Sequence, residues 1–238
     1  MEKAYSKGFE TFKDGVIACV PTILGYVGIG IAAGIVGKSS GLSVWIVVFM
    51  SVIVYGGSSQ FIITSMLVTG SPISAIIFTT FLVNLRHFLM SLSVSDYFKE
   101  FKLIQSIGIG SLLTDESYGV LMTAVLNGKQ VSFNWANGLN VTAYIVWILS
   151  TLTGALLGNA IPNPYIFGLD YALVAMFIGL VILQIEIPLK NNRSKTLFVI
   201  VSVVISLYVL SNLISIEMSV LIATLIGCGV GVFLNDED

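Results

Sequence analysis

Arg86, His87, Asp115 and Glu116 stand near the middles of long apolar stretches. An ionisable group at the centre of a bilayer costs roughly 2.5 to 3.5 kcal/mol on insertion scales, so those retained there mark pathways or binding sites by default. Arginine offers a planar fork that grips a carboxylate. It also demands an acid nearby, because an unpaired buried charge is strongly destabilising. Asp115 and Glu116 lie at similar depth in the next apolar stretch. Two roles for Arg86 therefore stand side by side: a strut locking two helices through an acid, and a clamp for a substrate carboxylate. Two acids against one arginine leave a spare carboxylate, which can receive a substrate ammonium or a coupling proton. His87 is suited to proton transfer near neutral pH, although a lone histidine is more often a packing residue.

Thr80, Asn84, His87, Ser91 and Ser95 follow helical spacing and form one polar stripe, with Arg86 about 100° round the helix from it. A second polar segment, YGGSSQF at 55–61, sits in the middle of the preceding stretch. Gly56 and Gly57 weaken a helix there, while Ser58, Ser59 and Gln60 bring donors and acceptors where water is scarce. An unwound segment would turn backbone groups toward a ligand. The candidate substrate site is thus Arg86, Asn84, Tyr55, Gly57, Ser58, Gln60 and Glu116, with Asp115, Glu116 and His87 as proton-coupling candidates. Asp170 in FGLDY at 167–171, and Gln184 and Glu186 before Pro188, read as interfacial or boundary residues.

The positioning elements follow from composition. With 238 residues, 56% of them apolar and 10% charged, the chain belongs in a bilayer. Crossing the hydrocarbon takes about 20 apolar residues, and about eight stretches qualify: 16–36, 44–68, 73–95, 104–126, 135–158, 167–187, 197–213 and 216–234. The expected fold is an all-α polytopic membrane protein forming one transmembrane domain over 1–238, with Ser211, Asn212, Ser215 and Glu217 in a tight hairpin. Lysine and arginine concentrate on one side, at Lys3, Lys7, Lys13, Lys129, Lys190, Arg193 and Lys195. Lys38, Lys99 and Lys102 fall on the other. The positive-inside rule then puts both termini in the cytoplasm, the acidic Asp236, Glu237 and Asp238 included. The N-terminal segment lacks an A-x-A cleavage pattern and is expected to be retained.

Residues 15–38 and 106–129 can be laid over one another so that Gly28 meets Gly119 and Gly37-Lys38 meets Gly128-Lys129. This suggests two three-span units, 12–95 and 101–187, followed by a C-terminal hairpin at 196–234. Three spans per unit would invert the second copy, as in many secondary transporters. The first span, with Pro21, Gly25, Gly28, Gly30 and Gly34, and its counterpart, with Ser111, Thr114, Asp115 and Glu116, both look breakable. Gly30 and Gly34 serve equally well as close-packing positions between helices.

Other chemistries find little footing. A net charge of −2 offers no basic surface for nucleic acid. The sequence has no phosphate loop, no G-x-S-x-G elbow and no H-E-x-x-H motif, so neither ATP-driven transport nor an intramembrane enzyme is indicated. One histidine with Cys19 and Cys228, both in apolar segments, makes a zinc site or a disulfide improbable. No cofactor is expected.

The ordered motifs GYVGIGIAAG at 25–34 after Pro21, YGGSSQF at 55–61, NLRHFLM at 84–90, TDESYG at 114–119 and FGLDYALVAMF at 167–177 resemble the AzlC-type branched-chain amino acid permeases. They run from residue 21 to residue 177, within about the first three-quarters of the chain. Where that family often has proline, this chain has Gly28. The resemblance implies export of leucine, isoleucine, valine or a similar amino acid across the cytoplasmic membrane, together with a small hydrophobic AzlD-type subunit. It suits the residues: a zwitterion needs a cation (Arg86), an anion (Asp115 or Glu116) and an apolar wall, for which Phe61 and Met90 are near in sequence. A passive channel for a small polar solute and a non-transporting scaffold subunit are the alternative readings of the same charges.

Overall fold

The computed structural model describes residues 11–129, 131–160, 168, 171–214 and 216–235. Its ordered elements are helices: α1 (Phe12–Ser39), α2 (Val44–Ile53), α3 (Gly57–Val68), α4 (Ile73–Val94), α5 (Leu103–Ser111), α6 (Asp115–Leu126), α7 (Phe133–Leu157), α8 (Ala172–Asn191), α9 (Arg193–Ser211) and α10 (Ile216–Asn235). These group into the expected stretches, with α2 and α3 sharing one and α5 and α6 another. Four helical segments among the described residues are long and apolar enough to cross a membrane unaided: Phe12–Ser39, Ile73–Phe98, Phe133–Leu157 and Arg193–Ser211. Leu24, Trp45, Phe81 and Ile104 are exposed on the outside, as lipid-facing side chains must be. Cys19 and Cys228 are both free thiols. Asp170 and the acidic tail lie outside the described residues.

Two spans are interrupted. The half-helices α2 and α3 have 10 and 12 residues, roughly 15 and 18 Å at 1.5 Å per residue, which puts their break near the middle of a ~30 Å hydrocarbon layer. Helices α5 and α6, with 9 and 12 residues, repeat that plan. The first span departs from expectation. Helix α1 runs unbroken for 28 residues through Pro21 and all of its glycines. Pro21 lies well inside this helix, whose most extensive helix partner is α7.

That contact is built from missing side chains. A Cβ on Gly15 would strike the Trp135 carbonyl, on Gly34 the Thr151 carbonyl, on Gly138 the Phe12 carbonyl and on Gly154 the Ile31 carbonyl. Small residues let the two backbones touch, which replaces the hydrophobic drive that lipid does not supply. Gly34→Leu is therefore expected to destabilise the protein by about 3 kcal/mol, near the upper end for overpacking. Gly25→Leu, at a position with nothing within 4 Å, serves as the neutral control. Thermal unfolding in detergent reads the difference.

The C-terminal hairpin of α9 and α10 closes in a similar way, with Gly227 against Val203. The Lys195 ammonium donates to the Leu234 carbonyl at 2.7 Å, placing a cation at the negative C-terminal end of α10.

Candidate functional site

The two breaks meet. Gly56 and Gly57 from the first, and Thr114, Asp115 and Glu116 from the second, line one cavity together with Arg86 and His87 of α4. Tyr26 of α1 and Trp147 of α7 complete the wall. Helices α3 and α6 both begin here, so two half-helix N-termini, each equivalent to a partial positive charge, face the same small space. At α6 the N-cap is Thr114, whose hydroxyl accepts from the Ser117 N–H at 3.3 Å while Ser117 Oγ accepts from the Thr114 N–H at 2.9 Å. At α3 the N-cap is Gly56, and no side chain caps it. The α3 end therefore keeps its anion-attracting character open toward the cavity.

Arg86 joins the two ends. Its Nη2 lies 3.0 Å from Asp115 Oδ2 and donates to Ser58 Oγ, in the first turn of α3, at 2.8 Å. The side chains of Arg86 and Asp115 are 27% and 15% exposed, so the pair sits in the cavity wall and is not sealed within the core. Glu116 is held apart from it. Its Oε2 accepts from the Tyr26 hydroxyl at 3.0 Å, and the same hydroxyl makes a short contact with Thr114 Oγ1. The spare acid expected from the sequence is thus Glu116, while Asp115 is the partner of the arginine.

Tyr55 occupies the break between α2 and α3 with φ +44°, in the left-handed region that costs a non-glycine residue roughly 1–2 kcal/mol. Gly56 follows directly, yet the strained position carries a tyrosine, and its side chain lines the cavity edge-on to Tyr144, ring centroids 4.7 Å apart. Strain kept at such a position points to a use for the side chain.

Other candidates stand behind this wall. Asn84 Oδ1 accepts from Ser59 Oγ at 2.5 Å, tying α4 to α3. The Gln60 amide donates to Ser51 Oγ at 2.8 Å and accepts from Trp147 Nε1 at 2.7 Å. Both residues brace the site and do not line the cavity. Phe61 and Met90 pack against the core, and the apolar wall is instead Tyr26, Tyr55 and Trp147. His87 has a double position: it lines this cavity and also an open groove between α4 and α5.

One set of positioning residues was not singled out from the sequence. On α7, Asn140 donates to the Ile109 carbonyl at 3.1 Å, near the end of α5. Tyr144 donates to the Val52 carbonyl at 2.8 Å, at the end of α2. With Trp147 on Gln60 and Thr151 Oγ1 2.7 Å from Ser51 Oγ, they form a stripe at helical spacing. Helix α7 thus reaches carbonyls at the ends of α2 and α5, where the breaks interrupt the regular helical bonding, and adds to the bond that the Leu112 N–H makes to the Ile109 carbonyl at 3.3 Å. Tyr144→Phe is expected to cost about 1 kcal/mol and to speed amide exchange selectively around residues 53–57; hydrogen-exchange mass spectrometry would read it.

The cavity holds about 20 Å³, room for roughly one water molecule. A molecule larger than water enters only if the surrounding helices part.

Interrupted spans meeting at mid-depth, with opposite charges gathered between half-helix ends, define a polytopic α-helical membrane protein with a buried polar site. The chain belongs to the AzlC family: the family described as "AzlC protein" matches residues 21–161. It is similar to the inner membrane protein YgaZ of Escherichia coli, 27% identical over 231 residues that cover 93% of this chain and 89% of the relative. It is also similar to the branched-chain amino acid transport protein AzlC of Bacillus subtilis, 26% identical over 184 residues, 75% of this chain and 70% of the relative. An uncharacterized membrane protein of Helicobacter pylori is 25% identical over 195 residues, 82% of this chain and 84% of the relative. No solved structure matches.

Proposed function

We propose that this protein is a secondary transporter that moves branched-chain or similar small zwitterionic amino acids out across the cytoplasmic membrane, coupled to the proton gradient. One observation carries the reading: Arg86 and the uncapped end of α3 face Glu116 across a single mid-span cavity walled by aromatic rings. Arg86 and the N–H groups from Gly57 onward hold the substrate carboxylate, Glu116 receives the amine or the proton, and Tyr55, Tyr26 and Trp147 meet the aliphatic side chain. Ser58, Gln60 and Asn84 keep that constellation in place. Asp115 and His87 complete the proton-handling set. The substrate class is supported by the name of the Bacillus subtilis relative. Both termini are placed in the cytoplasm, the three-span units 12–95 and 101–187 move relative to each other around the site, and a small hydrophobic AzlD-type subunit completes the transporter.

Reconstituted vesicles test this with a panel of radiolabelled amino acids, with and without a pH gradient and the partner subunit. Leucine, isoleucine and valine are expected to move fastest and to show trans-stimulation, which an open pore lacks. Equal movement of uncharged solutes, or none of any amino acid, would count against it.

A further inference from the structure

Arg86 is already occupied by a carboxylate, and the occupant is the protein's own. Its Nη2 serves Asp115 Oδ2 at 3.0 Å and Ser58 Oγ at 2.8 Å, at the edge of the cavity that an incoming carboxylate must enter. Asp115 is not needed there to cap α6, because Thr114 and Ser117 do that for each other. Glu116 does not compete for the arginine, being held by Tyr26. Asp115 is also the first residue of α6, where the helix N-terminus stabilises a negative charge even after it leaves its partner. Release of Asp115 therefore costs less than freeing an acid elsewhere in the bilayer.

We propose that Asp115 is an internal stand-in for the substrate carboxylate: it fills Arg86 when the site is empty, and only a ligand bringing its own carboxylate displaces it. Asp115 is then a specificity-determining residue. A solute with the amine and the aliphatic chain but no carboxylate finds the arginine satisfied, and binding it would leave nothing to open the ion pair. An amino acid exchanges one carboxylate for another, so the buried guanidinium stays paired throughout. This inference rests on the transporter reading above.

The same logic sets a cost on affinity. While Asp115 holds Arg86, the binding-competent fraction of the protein is small, and the apparent dissociation constant rises by the inverse of that fraction. Asp115→Asn removes the carboxylate that competes for Arg86. Leucine binding to the purified protein is expected to tighten about tenfold, as it should when Asp115 is away from Arg86 about one-tenth of the time in the parent. Ligand-induced stabilisation against heat should grow in step.

Competition on the unmodified protein supplies a second arm that does not depend on the variant folding. 4-Methylpentanoate, which is leucine's carboxylate and chain without the amine, is expected to displace labelled leucine, and isopentylamine, the amine without the carboxylate, is not. Unchanged or weaker leucine binding by Asp115→Asn, or isopentylamine competing as well as 4-methylpentanoate, overturns this inference while leaving the transporter reading intact. An unmodified protein that binds no amino acid, alone or with the partner subunit, overturns the transporter reading and this inference with it.

Discussion

Arg86→Ala is expected to lower leucine transport in reconstituted vesicles by about 30-fold to a few thousand-fold, the kinetic equivalent of the ~2–5 kcal/mol lost on truncating one partner of a buried, hydrogen-bonded charge pair. The substitution removes the group that spans both half-helix N-termini, contacting Asp115 of α6 and Ser58 of α3. It also strands Asp115, so folding must be measured beside transport. Arg86→Lys separates the two effects. It keeps a cation for Asp115 but replaces a planar fork with a point charge, and it should fold while transporting at least tenfold more slowly. The double exchange Arg86→Asp with Asp115→Arg is sharper still. It restores an ion pair between α4 and α6 but moves the guanidinium to the start of α6, where the helix end disfavours a cation. Recovered thermal stability with no recovered transport is the expected result; transport at the parental rate would reduce Arg86 to a strut.

The chemistry of this site was largely legible in the sequence, because charges in apolar stretches are rare and costly and therefore visible. Arg86, Asp115 and Glu116 stand out in that way, Gly57 and Tyr55 through the polar, glycine-containing segment YGGSSQF, and all five line the cavity. The backbone was harder to read. In the apolar run at 104–126 the break falls where Ser111, Thr114, Asp115 and Glu116 make it expected, and Thr114 followed by two acids is an N-cap followed by first-turn acids, the mark of a helix start. In the first span Gly30 and Gly34, which the sequence leaves open to either reading, prove to be contact points once α7 lies against them, while Gly25 and Gly28 have nothing within 4 Å and still do not break the helix. Tertiary packing decides that case, and no local pattern carries it. The stripe of Asn140, Tyr144, Trp147 and Thr151 on α7 was available as a 3.6-residue period in an uninterrupted apolar helix. It is inconspicuous because uncharged polar residues cost little in a membrane helix, and their importance appears only with the carbonyls they answer.

Glu116→Gln is expected to abolish pH-gradient-driven accumulation of leucine while leaving leucine exchange within roughly tenfold of the parent, since a neutral hydrogen bond replaces a charge-assisted one at a cost of about 1 kcal/mol. Glutamine has the same shape and its amide oxygen still accepts from the Tyr26 hydroxyl, which lies 3.0 Å from Glu116 Oε2. The local structure is therefore preserved, and what is lost is the ability to gain and release a proton. Tyr26→Phe provides the complementary case. It keeps the carboxyl group but removes the hydroxyl that links it to Thr114 at the N-cap of α6. If Glu116 exchanges the coupling proton and Tyr26 only orients it, Tyr26→Phe slows transport yet still responds to the gradient. Accumulation that continues to follow the pH gradient in Glu116→Gln would move the coupling role elsewhere. Asp115 and His87 are the other titratable groups of the proton-handling set in the same cavity wall, and of the two only His87 also faces the groove between α4 and α5.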